Sequence, residues 1–100
     1  MTDNENVNAI LGKIFSGTGY IKVICSLYER ELTASYISIK TEEDIEAIEI
    51  YLKELIKYHI VRKRVTDGID KFNITDNKIC DSVLMLKDTL YKISHENNSR

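Results

Sequence analysis

Six cations, Lys57, Arg62, Lys63, Arg64, Lys71 and Lys78, fall in one 22-residue segment that holds only three acids. The chemistry open to such a segment is neutralisation of a polyanion. Lys and Arg hydrogen-bond phosphate oxygens and release the counterions condensed on them. The 56 residues before it carry five Lys or Arg against ten Asp or Glu, so the net charge of -2 conceals a strong asymmetry. The acidic part centres on "TEEDIEAIEIYLKEL", residues 41–55, whose carboxylates only accept hydrogen bonds and repel phosphate. Neither segment carries catalytic chemistry. No Ser/His/Asp set or phosphate-cradling glycine loop is visible, and an enzyme is not expected. Cys25 and Cys80 form no C-x-x-C, and His59 and His95 have no partner at ligand spacing. The cysteines read as buried thiols, with no metal and no cofactor.

One hundred residues, 43% apolar and 30% charged, suit one soluble globular domain with one core. No run approaches the roughly 20 apolar residues that cross a bilayer. The start, "MTDNENVNA", is acidic where a signal peptide is basic and then apolar. A cytoplasmic protein without a membrane partner is the expectation.

The apolar spacing predicts the elements that must position these charges. "NVNAILGKIF" puts Val7, Ile10, Leu11 and Ile14 on one helical face, and "SGTG" ends that helix. "YIKVICSLYERE" repeats the pattern, and Thr33 caps a short helix "ASYISIK". Thr41 is the expected N-cap of the next helix, with Glu42, Glu43 and Asp44 in its first turn, where acids suit the macrodipole. That helix should run to about His59 with Ile45, Ile48, Leu52, Leu55 and Ile56 toward the core, and Glu49 can pair with Lys53 one turn on. The period then changes to two. "VRKRVTDGIDKFNI" alternates around Asp-Gly, a hairpin signal that places Val61, Val65, Phe72 and Ile74 on one face and Arg62, Arg64 and Lys71 on the other. A last helix sets Ile79, Val83, Leu86, Leu90 and Ile93 at alternating steps of four and three, a seam for a partner helix.

Helix, helix, turn, helix and hairpin is the winged helix-turn-helix order. The fold expected is mainly α with a small β-hairpin wing and an extra C-terminal dimerisation helix. Its boundaries are a flexible tail at 1–8, the winged domain at 9–78, the dimerisation helix at 79–95 and a second flexible tail at 96–100. Over residues 10 to 75, "LGKIFSGTGYIKVICSLYERELTASYISIKT" and "IEIYLKELIKYHIVRKRVTDGIDKFNI" resemble the archaeal winged-helix regulators of the ArsR/MarR type. The resemblance implies a homodimeric regulator of transcription that binds double-stranded DNA. Ile48, Tyr51, Leu52, Leu55, Ile60 and Val61 match its packing positions. By the same resemblance, His59 stands where a glycine is usual, which implies an altered turn, and Ile50 stands where a groove-reading Arg, Lys or Gln is common.

The expected contacts are Arg62, Lys63, Arg64 and Lys71 from the wing, and Lys40, Thr41, Glu46, Ile50, Lys53 and Lys57 from the recognition helix and its flanks. The dimer would form through Ile79, Val83, Leu86, Leu90 and Ile93. An alternative of another class is a protein-interaction module that offers Glu43, Glu46 and Ile50 to a protein partner.

Overall fold

The apolar stripes resolve into five helices and one hairpin. The computed structural model describes residues 3–98, in the order α1 (Asp3–Ile14), α2 (Gly19–Ser26), α3 (Ala34–Thr41), α4 (Ile45–Lys57), β1 (Val61–Thr66), β2 (Ile69–Ile74) and α5 (Asn77–Asn98). Helix α1 therefore opens well before residue 9, and α5 runs beyond residue 95. The outermost parts of the two expected tails, residues 1–2 and 99–100, lie outside the described residues.

Helices α2, α3 and α4 pack mutually, and Val23, Ile24, Leu27, Ile37, Ile48 and Leu55 are fully buried among them. Val61, Phe72 and Ile74 close this core from the hairpin base, and Cys80 and Val83 close it from α5. This is the winged helix-turn-helix architecture. Helix α3 starts as expected, the Thr33 hydroxyl accepting from the Tyr36 N–H at 3.2 Å.

The start of α4 differs from expectation. Thr41 is not its cap but the last residue of α3, buried, with its hydroxyl donating to the Ile37 carbonyl at 2.8 Å. A threonine can bond back to the carbonyl four residues earlier as readily as it caps forward, and here its burial decides. Glu42 then turns the chain in the left-handed region (φ 59°), and Asp44 takes the N-cap of α4 without a side-chain hydrogen bond. Only Glu46 of the local acids lies in the first turn of α4. Ile45, at the first helical position, sits at the exposed rim of the core rather than inside it.

His59 itself takes the left-handed conformation (φ 63°) that explains a glycine at this place, and its carbonyl accepts from the Thr75 hydroxyl at 2.8 Å. Asp67 and Gly68 both have positive φ (53° and 76°), the type I′ turn whose twist matches its strands. One pairing was not anticipated. Leu32, between α2 and α3, forms a two-hydrogen-bond antiparallel bridge with Phe72 (3.0 and 2.8 Å), so the wing is anchored to the helical body by backbone.

The radius of gyration, 15.0 Å, exceeds the roughly 13 Å of a compact 100-residue domain. Residues of α5 beyond Val83 leave the core, and most of α1 from Val7 onward is exposed as well.

Two glycines in this frame should respond to alanine with opposite signs. Gly12 lies in α1 with open space around an added Cβ, so Gly12→Ala should stabilise by about 0.5–1 kcal/mol. An added Cβ at Gly19 meets the Tyr51 ring, which packs on Tyr20 at 4.7 Å between centroids. Gly19→Ala should therefore cost about 1–3 kcal/mol. Urea denaturation of the two variants reads both signs.

Candidate nucleic-acid interface

Burial of Ile48, Leu52 and Leu55 turns the opposite face of α4 to solvent. That face carries Glu46, Ile50, Lys53 and Lys57, all exposed, with Ile50 at 60%. Glu49 lies to one side, toward the hairpin, where it lines an open groove with Leu52, Lys53 and Ile56 of α4, the start of α3, and Lys63, Ile69, Asp70 and Phe72 of the wing. Lys53 and Lys63 stand on this groove without an ion pair among the described residues, and the expected Glu49–Lys53 pair does not form. The Lys57 ammonium lies 5.8 Å from the Tyr58 ring centroid, and that of Lys40 lies 6.0 Å from Tyr36.

The register divides the wing cations. Residues directly opposite in an antiparallel pair share a face. Lys63 opposes Phe72 and Val61 opposes Ile74, on the side that meets α4. Arg62 opposes Asn73 and Arg64 opposes Lys71, on the reverse side. The apolar face is buried only at its base, since Val65 is 60% exposed. On the reverse side, the Arg64 guanidinium grips Glu31 through two hydrogen bonds, with Nε donating to Oε2 at 3.0 Å and Nη2 donating to Oε1. These bonds, and then the neighbouring charges of Arg64 and Lys71, hold the Glu31 carboxyl below its ordinary range despite some desolvation. Arg62 extends Nη2 to 3.4 Å from the Thr75 carbonyl and shares a polar cleft with Arg30, Glu29 and Asn77.

Two expected contacts are committed to the protein itself. Thr41 is buried, and Glu43 pairs with Lys22 at 3.0 Å, tying the turn before α4 to α2. Sequence spacing contained no local signal for Lys22–Glu43 or Arg64–Glu31, whose partners lie 21 and 33 residues apart.

The helical seam also divides. Val83 is buried and Ile79 half-buried against the core, whereas Leu86 (41%), Leu90 (53%) and Ile93 (48%) are exposed on one side of α5. Val7, Leu11 and Phe15 leave a second exposed apolar stripe along and just past α1. Cys80 is fully buried, its thiol donating to the Ile24 carbonyl at 3.2 Å and pushed up to about 11 mainly by burial. Burial raises Cys25 too, so neither thiol is primed as a thiolate. Among the described residues no group of three or more His, Cys, Asp or Glu gathers to hold a metal, and no helix is long and apolar enough to cross a membrane.

No protein-family model matches the chain, and no curated protein does. Solved structures do match in fold. Rv0081 from M. tuberculosis superposes with a TM-score of 0.79 at 13% identity, covering 97% of this chain and 98% of that one. The homodimeric winged helix-turn-helix DNA-binding domain Mb0332 from Mycobacterium bovis, a possible ArsR-family transcriptional regulator, gives 0.76 at 13% identity over 96% and 93% of the two chains. HlyU from Vibrio cholerae gives 0.72 at 18% identity over 89% and 97%. At these identities the likeness establishes the winged helix-turn-helix fold with its C-terminal helix.

The Glu31–Arg64 tie has a defined pH sign. The bonded form is the carboxylate, so the tie is complete at neutral pH and is lost as pH falls through the lowered Glu31 pKa. A carboxyl-carbon NMR titration should find Glu31 below the ordinary glutamate range, and Arg64→Gln should return it toward that range.

Proposed function

We propose that the protein is a dimeric regulator of transcription that binds double-stranded DNA, with α4 in the major groove and the hairpin along the phosphate backbone. The observation that carries this reading is the groove between α4 and the wing, where Lys53 and Lys63, in no ion pair among the described residues, stand with Glu49 and Asp70 and beside the exposed Lys57 of α4. Unpaired cations keep their full charge for phosphate, whereas Arg64 is already matched by Glu31. Wing contact then falls first to Lys63 and Arg62, with Arg64 and Lys71 behind them and Lys40 at the end of α3. The motifs support a regulator of archaeal type, working in the cytoplasm without a catalytic role or a cofactor.

The dimer of this reading forms through Leu86, Leu90 and Ile93, with Ile79 and Val83 anchoring the same helix to its own domain. The homodimeric state of the Mb0332 domain supports it. The protein-interaction alternative loses one of its three residues, because Glu43 is paired with Lys22.

Fluorescence anisotropy on a duplex from the gene's own promoter region and on a scrambled duplex, across salt concentrations, tests the DNA reading. Lys53→Ala with Lys63→Ala should weaken binding to both duplexes and reduce the log-log salt slope by about two units per protomer. Arg64→Ala should change it less. Unchanged affinity in the double variant would remove the groove from the interface. For the dimer, Leu86→Asp with Leu90→Asp should halve the mass measured by sedimentation while helical content is kept; a mass that stayed the same would place the contact elsewhere.

A further inference from the structure

We propose, resting on the DNA-binding reading above, that Ile50 reads a thymine C5-methyl group in the major groove, so that this chain selects an A·T pair beneath the middle of α4. Helix α4, "IEAIEIYLKELIK", contains no Arg, Asn or Gln; its outward Lys53 and Lys57 can reach guanine and Glu46 can accept from cytosine, but at its midpoint it offers the groove an apolar side chain. What it turns outward is Ile50, near its midpoint and 60% exposed, with Glu46 one turn before and Lys53 and Lys57 one and two turns after.

The major-groove edge of a base pair offers one apolar feature, the thymine methyl. An isoleucine laid against polar base edges strips their water and returns nothing; laid against a methyl, it buries apolar surface on both sides. The surroundings favour this occupant over a protein. Along α4, Ile50 is preceded one turn away by Glu46 and followed by Lys53 and Glu54 rather than by a continuous apolar stripe, which fits contact with one or two methyl groups. Lys53, Lys57 and Lys63 supply the positive charge that holds a helix with two outward glutamates close to phosphates.

Substitution of deoxyuridine for thymidine removes the methyl and leaves every hydrogen-bonding group in place. The probe is a duplex enriched by the protein itself from a random-sequence library, made in thymidine and deoxyuridine forms. Wild-type protein should bind the deoxyuridine form about four-fold more weakly for each methyl lost, or about sixteen-fold for one methyl per half-site of a dimer. Ile50→Ala, an exposed substitution to a stronger helix former, should bind the thymidine form with a comparable loss and no longer distinguish the two duplexes. Equal, salt-sensitive binding of both duplexes by the wild type would overturn the assignment of Ile50 and leave the DNA-binding reading standing. Discrimination that persisted undiminished in Ile50→Ala would also overturn it, by placing methyl reading elsewhere. Absence of binding to any duplex at low salt would end both.

Discussion

Burial of Ile48, Leu52 and Leu55 fixes how α4 is rotated about its axis, and the character of the exposed surface follows from that constraint. Truncating a fully buried aliphatic side chain costs roughly 2–5 kcal/mol, so three of them on one stripe leave the helix a single workable rotation. A shift of one residue position, about 100°, would take that stripe out of the core and bring charged side chains in. The anchors lie on α2, at its C-terminal cap and on α3, where Ile24, Leu27 and Ile37 are completely enclosed. The outward face is thus determined by the inward one.

Electrostatics then sort the remaining cations into bound and available. Arg64 and Lys22 are held by carboxylates, Glu31 and Glu43, that connect segments distant in sequence. Both pairs are exposed enough that their contribution to stability is small, and their effect is better described as orientation. Arg64–Glu31 ties the middle of the wing to the loop that also carries the Leu32–Phe72 bridge. The wing is consequently fastened at mid-length, by backbone along the outer edge of β2 and by Arg64 on one face, while Val65 and Ile69 beside the Asp67–Gly68 turn are exposed.

Features governed by neighbours in sequence were legible in it. The Asp-Gly turn, the Thr33 cap, the alternation of the hairpin and the core stripe of α4 rest on local geometry, and they appear in the structure as expected except at Ile45, which the stripe includes and the core does not. Thr41 was misread because capping forward and bonding back use the same hydroxyl; only burial distinguishes them, and burial is not local. The spacing of Ile79, Val83, Leu86, Leu90 and Ile93 marks one face of α5 but cannot show where that face leaves its own core, which happens after Val83. Of the candidate site, alternation located the two sides of the wing, but which cations are neutralised depends on Glu31 and Glu43, brought close only by the fold.

Among the described residues, four joints, at Glu29, Glu42, His59 and Asp67, adopt left-handed backbone without being glycine. Each native left-handed side chain costs on the order of 1 kcal/mol. A side chain also restricts the unfolded backbone that a glycine would leave free, but at positive φ the strain outweighs that gain, so these conformations are held by the structure around them. With only four glycines in 100 residues and no proline, the chain keeps its turns definite through side-chain-bearing residues. The angle between α3 and α4 is thus set at Glu42, and the departure of the wing from α4 at His59, by backbone conformations that the packing around them imposes.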